Sequence, residues 1–187
     1  MKIKYIPNIL TLSRIIIVTF FILSFFNESY SIRIFSIILF FLGSFSDFLD
    51  GYIARKYNLI TDFGKIIDPL ADKILILTAF FMLNKVYPTY VPLWMVSLIF
   101  LRDVFITIFR LYLKKNNSIL KTSVIAKRKT LLQIIVIHLL LIFYVFKESI
   151  PFDVNSSMQI IYYSMLICVI FTVFTGLHYL FINRYEI

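Results

Sequence analysis

Residues 47–72 read DFLDGYIARKYNLITDFGKIIDPLAD and hold five of the ten acidic residues in the chain. Asp47 and Asp50 stand three apart, and Asp68 and Asp72 four apart. On a helix each pair shares one face. Asp47 and Asp50 end one mostly apolar stretch, Ile34–Ala54, and Asp68 and Asp72 begin the next, Ile66–Lys85, each of them long enough for a membrane-crossing helix. A carboxylate at membrane depth is costly unless paired, and marks a functional site by default. The spacing predicts two consecutive antiparallel helices whose acid pairs face each other near one membrane surface. Four converging carboxylates repel one another. Lys73 or Arg55 relieves one or two of these charges; two divalent cations relieve all four. An oxygen-only donor set selects hard ions, so Mg²⁺ or Mn²⁺ suits it better than Zn²⁺. Any one of these acids alone is equally an ordinary interfacial residue beside Arg55, Lys65 or Lys73. Asp62, placed in the connecting loop and outside both pairs, is read in that way.

The rest of the chain supports a membrane setting. Of its 187 residues, 60% are hydrophobic and only 16% charged, with 21 Phe and 12 Tyr. A typical soluble domain is about half apolar and about a quarter charged. A disordered chain, a coiled coil and a water-soluble globule are therefore excluded. The lone cysteine, Cys168, excludes a disulfide scaffold and a CxxC site, and reads as a small hydrophobe. The fold class expected is all-α, with six transmembrane helices near Arg14–Phe26, Ile34–Ala54, Ile66–Lys85, Val91–Leu113, Val124–Phe146 and Met158–Ile182. Residues 1–13 form an N-terminal juxtamembrane segment and residues 14–187 the transmembrane domain. Lys2 and Lys4 beside Ile3, Tyr5, Ile6, Ile9 and Leu10 fit a short interfacial helix on anionic head groups; the start of the first span fits the same residues.

Charge orients this bundle. With six spans, one set of connections collects fourteen of the nineteen Lys and Arg residues and the other only three. The positive-inside asymmetry puts both termini in the cytoplasm. The net charge of +9 thus belongs to span ends, and a nucleic-acid partner is not expected. Gly51, Ala54 and Gly64 leave room beside the acids for a bulky group such as a nucleotide. Close helix packing accounts for the same small residues.

Taken together, the stretch is D-x2-D-G-x2-A-R-x8-G-x3-D-x3-D, eight fixed residues at fixed gaps. It resembles the signature of the CDP-alcohol phosphatidyltransferase family, membrane enzymes of phospholipid synthesis. PNILTLSR (residues 7–14), LRDVFITIFRL in the fourth span, AKRKT with Gln133 in the fifth, and TGLHYL near the end are similar to bacterial phosphatidylglycerophosphate synthases. Arg102-Asp103 stands where that group has Arg-Glu, and Ala126 where Gly often precedes the Lys-x-Lys-Thr element.

The resemblance implies transfer of a phosphatidyl group from CDP-diacylglycerol to sn-glycerol 3-phosphate, with release of CMP. It implies two divalent cations, Mg²⁺ or Mn²⁺, held by Asp47, Asp50, Asp68 and Asp72, with Asp72 also the candidate catalytic base. Gly51, Ala54, Arg55 and Gly64 would face the nucleotide, joined by Asn8 and Thr11, for which helix capping is the alternative. Arg110, Lys127 and Lys129 would hold the acceptor's phosphate; the positive-inside rule accounts for each of them equally. Arg102 and Asp103 read first as a buried ion pair and second as an acceptor contact. Arg14 reads as an interfacial anchor, and His138 and His178 as core residues. The resemblance further implies a homodimer in the bacterial cytoplasmic membrane, multi-pass, with the site on the cytoplasmic side. Two rivals differ in kind. One is a transferase of the same family using inositol phosphate, serine or phosphatidylglycerol. The other is a non-enzymatic divalent-cation carrier, which needs a carboxylate path that the outer halves of the spans lack.

Overall fold

The computed structural model describes residues 6–56, 62–115, 124–146 and 154–183; side chains at 6–12, 47–56, 62–72, 111, 114–115, 124–127 and 154–157 lie outside that description. Among the described residues there are six helices and no strand: α1 (Ile6–Phe25), α2 (Tyr30–Lys56), α3 (Asp62–Val86), α4 (Leu93–Lys115), α5 (Val124–Phe146) and α6 (Val154–Ile182). Each covers one expected span. The largest shifts are outward, at the start of α1, at both ends of α2 and at the starts of α3 and α6, because backbone hydrogen bonding continues past the last apolar residue into polar turns, while both ends of α5 stand where expected. Two differences follow. Asp62, expected in the connection, is the first residue of α3, where the partial positive charge of a helix N-terminus favours an acid. The other is that α1 starts at Ile6, within the expected juxtamembrane segment, with Pro7 in its first turn, where its missing N–H costs nothing.

Local chemistry sets the turns. Asn27 Oδ1 accepts the Ser29 N–H at 2.9 Å, and the Ser29 carbonyl accepts from Ile32 and Arg33, opening α2. After α3, the Tyr87 carbonyl accepts from Val91 at 2.7 Å, and Asn84 Nδ2 donates to the Val91 carbonyl at 2.7 Å. Pro92 then opens α4 through its carbonyl, which accepts from Met95.

The chain divides into two compact units, Met1–Met82 with His138–Ile150 and Leu83–Ile137 with Pro151–Ile187. In the first, α1 packs on α2 around an aromatic core. Phe21 meets Phe40 at 5.7 Å, Phe25 stacks on Tyr144 at 4.5 Å, and Phe40 meets His138 edge-on at 4.9 Å. The buried Tyr144 hydroxyl donates to the Phe25 carbonyl at 2.9 Å. In the second unit α4 packs on α6. Met95, Val96, Ile99, Leu113, Ile137, Ile161, Met165 and Cys168 are buried there.

Gly43 is the tight point of the first unit. A Cβ there would lie 2.9 Å from Leu75 Cδ2 and 3.3 Å from Ile17 Cγ2, so α1, α2 and α3 meet at this level. The Leu75 methyls end a rotatable side chain, and alanine adds about 1 kcal/mol of helix propensity over glycine. Gly43→Ala is therefore expected to leave stability within about 1 kcal/mol, whereas Gly43→Leu lowers it by about 1–3 kcal/mol through overpacking. Thermal unfolding in detergent micelles distinguishes the two variants.

The outward faces are apolar. Leu23 is 67%, Leu177 63% and Phe181 64% exposed, and α2 to α5 carry similar residues. Patches of this size on a soluble monomer would associate. Among the described residues, Arg128–Phe146 and Met158–Ile182 are long and apolar enough to cross a membrane; Ser13–Phe25 and Tyr30–Ser46 are shorter apolar helices. The molecule has membrane character.

Candidate active site

Helix α2 carries Asp47 and Asp50 in its last three turns, and α3 carries Asp68 and Asp72 in its first three. Backbone register relates them to the tight contact described above. Positions 47 and 50 lie four and seven residues beyond Gly43, on the face of α2 that meets Leu75. Positions 72 and 68 lie three and seven residues before Leu75, on the face of α3 that meets Gly43. The two acid-bearing faces thus continue from one interhelical contact within one unit. The four Asp side chains lie outside the described residues, as do those of Gly51, Ala54 and Arg55 on α2, Gly64 on α3, Asn8 and Thr11 on α1, and Lys127 on α5. Among the described residues no three His, Cys, Asp or Glu side chains form a metal-binding group. By donor chemistry, four carboxylates on two facing registers fit a pair of hard divalent cations.

The second unit holds a buried polar seam. Lys129 Nζ on α5 donates to both Asp103 oxygens on α4 at 2.6 Å, and the side chains of Lys129 and Asp103 are 6% and 5% exposed. Arg102 Nη1 reaches Asp103 Oδ1 at 3.1 Å, and its Nη2 donates to Thr175 Oγ1 on α6 at 3.1 Å. Gly176 lets α6 lie against Arg102, because a Cβ there would stand 3.0 Å from Arg102 Cγ and Nε. One turn along α5, Gln133 Nε2 donates to Thr172 Oγ1 at 3.4 Å. Burial makes each of these groups depend on its neighbours, since an unpaired charge or amide away from water is costly. Arg110, further along α4, is exposed and places its guanidinium 5.6 Å from the Tyr179 ring centroid.

Of the acceptor-phosphate candidates, Arg110 and Lys129 are therefore described, both within the second unit, with Lys129 buried and Arg110 at the surface. The Arg102–Asp103 ion pair expected first is present. Its extension to Lys129, Thr175 and Thr172 was not foreseen; the signal available was the spacing of Lys129 and Gln133, four apart and so on one face of α5. Arg14, read as an interfacial anchor, is instead buried at 1% exposure within the first unit. His138 is half-buried and packs edge-on against Phe40, and His178 is half-buried and stacks on the exposed Phe174 at 6.1 Å. Cys168 is buried and free.

Residues 4–180 match the profile of the CDP-alcohol phosphatidyltransferase family. The chain belongs to that family. It is 39% identical over 137 residues to a CDP-diacylglycerol–glycerol-3-phosphate 3-phosphatidyltransferase of Rickettsia bellii, covering 73% of this chain and 75% of the relative. A protein of the same name from Bacillus subtilis is 34% identical over 186 residues, covering 93% and 92%. Another from Salmonella typhimurium is 30% identical over 138 residues, covering 73% and 76%. Family membership makes this chain a membrane transferase of phospholipid biosynthesis, and the match spans both units.

Proposed function

We propose that this protein transfers the phosphatidyl group from CDP-diacylglycerol to sn-glycerol 3-phosphate, giving phosphatidylglycerol phosphate and CMP. The observation that carries the reading is the placement of the eight-residue signature on two helices whose acid-bearing faces continue from the Gly43–Leu75 contact. The names of the relatives support the choice of donor and acceptor.

In this reading Asp47, Asp50, Asp68 and Asp72 hold two divalent cations, Mg²⁺ or Mn²⁺, in keeping with the general cation dependence of the family. When bound, such a pair neutralises charge on the bridging and leaving phosphate oxygens. Gly51, Ala54, Arg55 and Gly64, with Asn8 and Thr11, bind and orient the nucleotide half of the donor. The acceptor's primary hydroxyl oxygen attacks the phosphorus that bears the lipid. The bond from that phosphorus to the CMP oxygen breaks, its electron pair leaves with CMP, and Asp72 takes the hydroxyl proton. A carboxylate is a weak base, so proximity supplies much of its effect. No covalent enzyme intermediate is needed. Arg110, Lys127 and Lys129 hold the acceptor's phosphate, Arg by a bidentate fork and Lys as point charges. Asp103 fixes the Lys129 ammonium in place.

All six helices span the bilayer, with both termini and the site on the cytoplasmic side of a bacterial inner membrane, and the N-terminal end of α1 at the interface. The donor keeps its acyl chains in lipid and its cytidine in water. The working unit is a homodimer.

The deciding assay supplies purified protein with CDP-diacylglycerol and, separately, glycerol phosphate, inositol phosphate, serine or phosphatidylglycerol, and follows CMP release. Turnover is expected with glycerol phosphate. Turnover with another acceptor and none with glycerol phosphate refutes the assignment. Arg110→Ala is expected to raise the KM for glycerol phosphate on the order of ten-fold or more while the KM for CDP-diacylglycerol moves little, because a charge-assisted phosphate contact is lost. Equal loss on both substrates would mean that Arg110 acts through the fold.

A further inference from the structure

We infer that Gln133 is the residue that recognises the secondary hydroxyl of the acceptor, and so selects a phosphate ester with a hydroxyl on the adjoining carbon. The inference rests on the acceptor proposed above. Gln133 is fully buried. Its Nε2 donates to Thr172 Oγ1, while its Oε1 is buried without a hydrogen-bond partner. Turning the carboxamide over exchanges the two atoms and still leaves one unsatisfied. Buried amide atoms are normally paired, so this one calls for a ligand.

Its neighbours say which kind. Lys129 lies four residues earlier on the same face of α5, at a Cβ separation of about 5–6 Å. Lys129 and Arg102 share the single carboxylate of Asp103, and Arg102 Nε is also buried without a hydrogen-bond partner. A lysine ammonium and an unsatisfied neutral group thus follow each other along one face of α5, with the unpartnered Arg102 Nε on α4, all in the second unit. sn-Glycerol 3-phosphate has the matching order: a phosphate, then a secondary hydroxyl on the next carbon, then the primary hydroxyl that reacts. A hydroxyl both donates and accepts, so it satisfies the carboxamide in either orientation. The primary hydroxyl is left out of these contacts.

The test is a substrate–variant cycle on the purified full-length enzyme. It compares sn-glycerol 3-phosphate with 3-hydroxypropyl phosphate, which keeps the phosphate and the primary hydroxyl and lacks the secondary one. Wild type is expected to prefer glycerol phosphate on the order of ten-fold in kcat/KM, because a site built to bond a hydroxyl rejects the analogue without it. Gln133→Met, similar in length and without amide atoms, is expected to erase most of that preference, lowering glycerol phosphate use about ten-fold and analogue use far less. A wild type that uses both acceptors within about two-fold overturns the inference. So does an equal fall on both in Gln133→Met, the result of a carboxamide that holds only a water or the helix packing. Should Gln133→Met not fold, the wild-type ratio still decides, and Thr172→Val, which removes the amide's anchor, is expected to narrow it. A wild type that uses inositol phosphate or serine and neither of these acceptors sinks the proposed activity, and this inference with it, a result plainly different from lost discrimination.

Discussion

Asp68→Asn is expected to lower turnover by at least about 10²–10³-fold, the size of effect seen when one preorganised electrostatic partner of a reacting group is removed. The substitution keeps shape and hydrogen-bonding capacity and deletes one negative charge. In the proposed arrangement Asp68 is one of four oxygen donors on two helix faces that run from the Gly43–Leu75 contact. With three carboxylates left, the pair of cations loses charge balance and one fixed ligand. The protein should still insert and unfold at nearly the wild-type temperature, because removing one of several like charges relieves repulsion. Raising Mg²⁺ or Mn²⁺ should restore part of the rate. Kinetics of CMP release across a metal titration, with a melting curve on the same sample, test this. Wild-type turnover in Asp68→Asn, or a loss that follows loss of folded protein, would refute the two-cation reading.

The second large effect concerns stability. Asp103→Asn leaves the buried Lys129 and the part-buried Arg102 beside each other without the carboxylate they share. Removing one partner of a buried ionic cluster typically costs about 3–5 kcal/mol, because the remaining charge has lost its compensation. Lys129→Met is expected to cost less, about 1–3 kcal/mol, since Arg102 still reaches Asp103 and methionine fills the apolar path of the lysine stem. The asymmetry is the informative part. Two cations around one acid predict that loss of the acid is worse than loss of either base. Thermal or denaturant unfolding in detergent, run side by side, measures it. Equal and small losses would show that the cluster is solvated in the membrane-embedded protein. Lys129→Met should also impair glycerol phosphate use, and Asp103→Asn should raise its KM by displacing the ammonium.

Much of this was legible in the sequence. The six helices follow from six apolar runs broken by short polar stretches, since a buried or lipid-facing backbone must satisfy its hydrogen bonds internally. The acid pairs are local: spacings of three and four residues assign each pair to one face before any partner is known. Helix ends were less legible, because hydropathy marks where the apolar surface stops and not where the backbone ladder stops. That is why Asp62 moved into α3 and why α1 runs through Ser13.

Charge pairing across helices was the least legible. Arg102 and Asp103 announce themselves by lying in an apolar run, but Lys129 sits beside Arg128 and Lys127 and looks like one more residue of a basic membrane edge. Burial separates it from the exposed Arg128, and burial depends on which face α5 turns toward α4 and α6. The same holds for Arg14, whose place in the sequence suits an interface and whose side chain is enclosed.

The order of residues alone determined that this is an all-helical, lipid-adapted chain with a carboxylate signature on consecutive helices, because periodicity and hydropathy are properties of neighbours along the chain. Only the tertiary structure decided that Asp103 holds Lys129 from 26 residues away and that Gln133 has one amide atom left to offer. Those facts arise where helices meet, and the rotation of one helix against another is set by packing that no single segment contains.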